Sequence, residues 1–235
     1  MQLNGAVVFV TGANRGLGEV FATEALARGA KKVYATARNP AAINIAGVTA
    51  IELDVTQPSS VTRAVAQAGD VTLLINNAGI AQTGSLLDDS AEQQIRQQME
   101  TNLFGPLRLS QAFAPVLAQA GGGGIINVLS VASWISSALL PTYSVSKSAA
   151  WSLTNGLRLA LAEQSTQVLG LHAGFIDTGM TKDFDVPKTS PLDIVTATFN
   201  ALEAGLSEVL GDDVTRLVHQ GLSADLPVYL APLVR

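Results

Sequence analysis

The sequence predicts a doubly wound α/β fold, a mainly parallel sheet flanked by helices on both faces. Three observations carry that prediction. Short apolar runs rich in β-branched residues recur along the chain, amphipathic or alanine-rich segments separate them, and the runs are apolar at consecutive positions. Alternation of apolar and polar residues would mark a sheet with one wet face. Continuous apolar runs mark strands covered on both sides.

The elements follow in order. AVVFVT (6–11), KVYATA (32–37), VTAIELDV (48–55), VTLLIN (71–76), GIINVLS (124–130) and QVLGLHA (167–173) read as strands. Helical segments are expected over 16–28, 59–68 and 91–119, with Pro106 and Pro115 bending or interrupting the last because proline lacks the amide a helix needs. The GGGG tract at 121–124 is a turn before the fifth strand. A further helix is expected to begin at Thr142, an N-cap after Pro141, and to run to about residue 164. No linker rich in proline or serine breaks the alternation, so residues 1–235 are expected to form one nucleotide-binding domain. A short substrate lid at about 179–190 and the C-terminal segment would be integral to it.

Composition narrows the partners. Charged residues make up 14% of the 235 positions and hydrophobic residues 48%, more apolar surface than a monomer of this size usually buries. A homodimer or homotetramer is expected. The net charge of −5 argues against nucleic acid and anionic membranes as partners. The absence of cysteine excludes disulfides and thiolate metal sites, and His172 and His219 lack metal-ligand spacing, so both are expected to be structural or exposed and no metal is expected. MQLNGAVVFV carries neither a basic n-region nor a cleavage signature. The apolar stretch 125–140 is interrupted by Asn127 and serines and falls short of the roughly 20 residues of a membrane span. A cytoplasmic protein is expected.

Two motifs carry chemistry. TGANRGLG (11–18) follows the first strand and opens a helix, with glycines at 12, 16 and 18 that allow a tight turn, close approach of backbone to a pyrophosphate, and close helix packing. In TYSVSK (142–147), Tyr143 and Lys147 are four apart and share one helix face. In the first turn of a helix, the ammonium and the positive end of the dipole would both favour a phenolate, lowering the tyrosine pKa from its usual ~10. Such a tyrosine is fit for acid/base work.

With NNAG at 76–79, Asn102, and Ser130 placed 13 positions before Tyr143, these motifs together resemble the short-chain dehydrogenase/reductase family over at least residues 5–180. The resemblance implies a Rossmann fold and catalytic roles for Asn102, Ser130, Tyr143 and Lys147. Tyr143 would exchange a proton with a substrate carbonyl oxygen while hydride moves to or from a nicotinamide. Lys147 would lower the tyrosine pKa and bind the nicotinamide ribose, Ser130 would hold the carbonyl oxygen, and Asn102 would support a proton-supplying water chain. The resemblance also implies cofactor contacts from Gly12, Asn14, Arg15, Gly16, Leu17 and Gly18 in the turn, from Asp54 and Val55 near the adenine, and from Asn77, Ala78 and Gly79. Near the nicotinamide it implies Gly174, Ile176 and Thr178, although the family's usual Pro-Gly reads Ala173-Gly174 here.

The cofactor's identity is legible at the end of the second strand. A carboxylate there would accept from the ribose hydroxyls of NAD, but the chain reads Ala37 followed by Arg38, and Arg15 stands in the glycine turn. Two guanidiniums suit a 2′-phosphate, so NADP(H) is expected. Trp134, Leu139, Leu140, Phe175, Met180 and Phe184 are candidates for an apolar substrate wall, which favours a small neutral ketone, aldehyde or alcohol. Two other readings share the scaffold: an epimerase or dehydratase, and a nucleotide-sensing protein without catalysis. The family commonly pairs its Asn102 and Tyr143 helices across subunits, and Ala149, Ala150, Ser152 and Gly156 would let helices approach closely.

Overall fold

The computed structural model describes residues 1–230, so the end of the expected 1–235 domain lies outside the described residues. Seven strands form one parallel sheet: β1 (Val7–Thr11), β2 (Lys32–Ala37), β3 (Thr49–Glu52), β4 (Leu73–Asn76), β5 (Gly124–Val128), β6 (Gln167–His172) and β7 (Glu208–Leu210), in the order β3-β2-β1-β4-β5-β6-β7. The order reverses between β1 and β4. At such a point successive connections leave on opposite faces and a crevice opens beyond the C-terminal strand ends.

Among the described residues seven α-helices cover the sheet: α1 (Gly16–Ala27), α2 (Pro58–Ala66), α3 (Ala91–Met99), α4 (Gly105–Gln119), α5 (Pro141–Ala160), α6 (Pro191–Glu203) and α7 (Asp213–Gly221). Along β1, Val8 and Val10 face a core shared with α1 and α6, and Val7 and Phe9 face a core shared with α2, α4 and α5. This is the physical sense of an apolar run without alternation. Phe21 of α1 meets Phe199 of α6 edge-on at 5.5 Å between ring centroids, and Phe9 meets Phe113 of α4 at 4.8 Å. Each of these fully buried rings contributes about 1.5–3 kcal/mol relative to exposure.

The helical segment expected over 91–119 is interrupted beside Pro106 as expected, by a π-helical turn, Glu100–Phe104, because Pro106 has no amide to give the carbonyl of Asn102. Other expectations are corrected. Pro115 lies inside α4, which runs on to Gln119. Thr142 is not the N-cap of α5: Leu140 holds that position, Pro141 takes the first turn, and the buried Thr142 hydroxyl accepts from Gln98 Nε2 at 2.8 Å. The helix ends at Ala160, followed by a turn through Ser165, whose φ of 59° no helix continues. β7, α6 and α7 were not read from the sequence.

Candidate active site

One cleft of about 330 Å³ runs along the C-terminal ends of β1, β2, β4, β5 and β6. Its first wall is the turn between β1 and α1, where Gly12 and Gly16 have φ of 66° and 58°. A Cβ on Gly18 would lie 2.2 Å from the Gly12 carbonyl oxygen, so only glycine lets α1 leave the turn at this distance. The turn is stitched to the segment after β4. Thr11 Oγ accepts from the amides of Asn77 and Ala78, both at 2.9 Å, and Asn77 Nδ2 donates to the carbonyls of Thr11 at 2.8 Å and Gly12 at 3.2 Å. Asn14, Arg15, Gly16, Leu17 and Gly18 line the cleft, as do Asn77, Ala78 and Gly79 across from them.

The far end of this wall carries the charges. Arg15 and Arg38 are exposed, line the cleft together, and have no ion-pair partner among the described residues. The third strand ends at Glu52, short of the expected 48–55, so Asp54 and Val55 lie beyond it at the cleft, and Asp54 Oδ1 accepts from the Thr56 amide and hydroxyl at 2.9 and 2.7 Å.

The opposite wall holds Ser130, Tyr143 and Lys147. Ser130 is the N-cap of a 3₁₀ turn, Val131–Ser133; its hydroxyl accepts from the Ala132 amide at 3.1 Å and donates to the Ala173 carbonyl at 3.4 Å. Lys147 Nζ, almost fully buried, donates to the Val128 carbonyl at 2.8 Å and lies 5.6 Å from the Tyr143 ring centroid. Burial pushes Lys147 down to about 8. Burial pushes the Tyr143 phenol up to about 12, with the Ser130 hydroxyl pulling the other way. This corrects the expectation of a lowered tyrosine: the low dielectric of the cleft wall outweighs dipole and ammonium.

Asn102 stands in the π-helical turn and does not line the cleft. It is buried behind Gly79, where its Oδ1 accepts from the Ile80 amide and its Nδ2 donates to the Ile80 carbonyl and Ser146 Oγ, all at 2.9 Å. π turns recur at functional sites because they redirect one side chain out of helical register. Gly174, Ile176 and Thr178 line the cleft beyond β6, and the expected lid, 179–190, is a run of turns pinned at its base by an Ile176–Thr189 bridge.

Of the expected substrate wall only Met180 lines the cleft. Trp134 instead stacks on the buried His172 at 3.9 Å, Phe175 and Phe184 pack on each other at 5.3 Å, Leu139 is exposed and Leu140 buried. Ile80 and Leu129 contribute lining that the sequence reading missed, and Gly179 and Thr181 line the cleft from the start of the expected lid. Each sits beside a recognised motif, but neutral side chains carry no signal of their own.

Residues 6–188 match the short chain dehydrogenase family. The chain belongs to this family. A short-chain dehydrogenase of Burkholderia cenocepacia, whose structure contains NADP, is 38% identical and superimposes with a TM-score of 0.93 over 99% of this chain and 100% of its own. The 3-ketodihydrosphingosine reductase of Bacteroides thetaiotaomicron is 32% identical over 77% of this chain and 67% of its own length. The 3-oxoacyl-(acyl-carrier-protein) reductase FabG of Salmonella typhimurium is 31% identical over 77% and 78%. This short-chain dehydrogenase is therefore an oxidoreductase on a Rossmann-like sheet. Among the described residues no helix is long and apolar enough to cross a membrane.

Proposed function

We propose that the protein is an NADP(H)-dependent reductase of a neutral carbonyl compound, with Tyr143 as general acid. One observation carries the reading: a single cleft has the glycine turn and two guanidiniums without an ion-pair partner among the described residues at one end and Ser130, Tyr143 and Lys147 at the other. The residues fit the cofactor. Gly18 leaves a cradle that a Cβ would close, and Arg15 and Arg38 offer charge-assisted donors to a 2′-phosphate with no competing carboxylate on β2. NADP(H), when bound, supplies the hydride.

The chain's own groups handle the oxygen and the proton. A carbonyl oxygen held by the Ser130 hydroxyl gathers negative charge during reduction and takes the Tyr143 proton; in the reverse direction Tyr143 takes it back. A phenol held near 12 keeps its proton at neutral pH, which suits reduction. Lys147, about 8 and mostly an ammonium at pH 7, stabilises the phenolate left behind. Among the described residues the lining charges are Arg15, Arg38 and Asp54 at the cofactor end and Lys147 beside Tyr143, so none of them on the substrate side anchors a charged substrate. Two relatives named as reductases of 3-keto and 3-oxo compounds support a ketone.

NADPH oxidation against a panel of neutral ketones tests the reading. Wild type should turn over at least one, and Tyr143→Phe should bind NADPH normally while losing about 10²-fold or more in kcat. Unchanged activity in that variant would end the mechanism. We also propose a homo-oligomer paired through α5 and α4 with the π-helical turn before it, where Phe104, Val145 and Leu159 are exposed and a Cβ at Gly156 meets open space. Ala150 takes no part, being buried against its own subunit. Light scattering showing a monomer at micromolar concentration would remove this claim.

A further inference from the structure

We propose that Asp212, outside the cleft at the N-terminus of α7, is a positioning residue that fixes the Ala173-Gly174 turn against both Ser130 and the cofactor. The inference rests on the oxidoreductase reading above. It begins where the sheet stops. The β6–β7 ladder ends at the pair His172–Leu210, and one more backbone bond follows, from the Gly211 amide to the His172 carbonyl at 2.8 Å. The chains then part, and the next amide of the β6 side to be held, that of Gly174, donates to Asp212 Oδ2 at 2.6 Å. The other oxygen, Oδ1, accepts from the Thr215 amide at 2.8 Å and caps α7. Asp212 is 7% exposed, so water competes little for either oxygen. A Cβ on Gly174 would stand 3.3 Å from Oδ2, so a side chain at position 174 would press on the same carboxylate.

The dipeptide that Asp212 holds has two working faces. The Ala173 carbonyl accepts from the Val131 amide at 2.9 Å and from the Ser130 hydroxyl at 3.4 Å, so this turn holds in place the side chain whose proton a substrate oxygen would take over. Gly174 and the following Ile176 and Thr178 line the cleft. A carboxylate that does not line the cleft therefore holds a turn that bears on both Ser130 and the cleft wall. Only Asp meets both demands here: Asn offers one acceptor oxygen and turns an amide toward an N–H, while Ser caps a helix but falls short of Gly174.

That difference supplies the test. Asp212→Ser keeps the helix cap and drops the clamp, Asp212→Asn keeps the shape and loses one acceptor, and Asp213→Ser removes a neighbouring exposed charge as a control. NADPH affinity is measured by fluorescence titration, kcat and KM with a ketone found active on wild type, and stability by thermal melting. Both Asp212 variants should bind NADPH about tenfold more weakly and turn over about tenfold more slowly at saturating NADPH, as expected for one lost charge-assisted bond, while Asp213→Ser matches wild type. If Asp212→Ser does not fold, Asp212→Asn alone decides. Wild-type affinity and kcat in the folded Asp212 variants, or an equal loss in Asp213→Ser, overturn the inference and leave the proposed function standing. A wild type that binds no NADPH overturns both.

Discussion

The two walls of the cleft are held by different physics. The glycine-turn wall is fixed by what its residues are: positive φ at Gly12 and Gly16, and a carbonyl standing where any Cβ at position 18 would go. The wall beyond β6 is fixed by side-chain hydrogen bonds, two of them brought from far along the chain, Asp212 to Gly174 and His172 to the Ser130 carbonyl at 3.2 Å, and one local, Thr181 to Ile176. Steric identity cannot be relaxed without moving backbone, whereas a hydrogen bond can be removed one at a time. The first wall should therefore fail abruptly and the second by degrees.

The largest effect is expected at Gly18. Gly18→Ala places a methyl 2.2 Å from the Gly12 oxygen and 2.5 Å from Asn77 Nδ2, and neither can move without unstitching Thr11 from Asn77. NADPH binding measured by fluorescence should fall by about 10²-fold or more, with a loss of several kcal/mol in stability, on the scale of overpacking a rigid site. Near-normal binding would show that this wall too yields by degrees and would break the contrast.

Next come the charges at the end of the same wall. Removing Arg38 or Arg15 should weaken NADPH by roughly tenfold to a hundredfold and leave NADH little changed, since a charge-assisted hydrogen bond is worth about 1.5 to 3 kcal/mol. Ala37→Asp should weaken NADPH and improve NADH, because the new carboxylate repels a 2′-phosphate and accepts from a ribose hydroxyl. KM for both cofactors at fixed ionic strength checks this. A wild type that already prefers NADH, or an unchanged NADPH to NADH ratio in both arginine variants, would assign the arginines to solvent.

Much of this was legible because it is local. A glycine turn between a strand and a helix, a second strand ending Ala37-Arg38, and Tyr143 four residues before Lys147 are patterns whose geometry follows from sequence spacing alone. The rest depends on distance. β7 is only three residues long and half-buried, so its apolar signal is too short to read, and Asp212 reaches Gly174 across 38 positions. Trp134 was misplaced because its partner, His172, comes from β6, and aromatic size says nothing of direction. The raised Tyr143 pKa was missed for the same reason: dipole and lysine are read from neighbours in sequence, but burial comes from the whole fold.

Lys147 lies where the walls meet, its Nζ 3.8 Å from where a Cβ on Gly79 would be and bonded to Val128 of β5. Its pKa is about 8 in the folded protein against 10.5 ordinarily. Below pH 8 both states carry the proton and the folded protein bears the full cost of a buried ammonium. Between about 8 and 10.5 the unfolded chain holds a proton that the folded protein has lost, so this group's contribution to stability rises with pH. Lys147→Met should then be more stable than wild type at pH 7 by roughly 1–3 kcal/mol, be nearly inactive, and lose most of its advantage by pH 10. Denaturant titration at pH 7 and pH 10 checks the sign. Tyr143, held up near 12, acts oppositely and only above pH 10, where the folded protein keeps a proton that the unfolded chain releases.

The smallest effect is expected at the base of the lid, where the second wall is held by one hydroxyl. Thr181 Oγ donates to the Ile176 carbonyl, lies 3.2 Å from the Thr178 carbonyl, and accepts from the Thr178 amide at 3.4 Å, so it ties together the two cleft-lining residues that follow Gly174. Thr181→Val keeps the shape and removes all three contacts at once. Thr181 is only half-buried, so water can replace the lost hydroxyl, and the cost should be about 0.5–1.5 kcal/mol. The lid also keeps its second tie, the pair of backbone bonds at 2.9 Å by which Thr189 meets Phe175 and Asp177. A two- to tenfold rise in the KM for NADPH, with kcat and melting temperature close to wild type, is the graded response this wall predicts. A collapse of cofactor binding as steep as that of Gly18→Ala would mean that the β6 wall is as unforgiving as the glycine turn. The difference between steric and hydrogen-bonded walls would then have no functional weight.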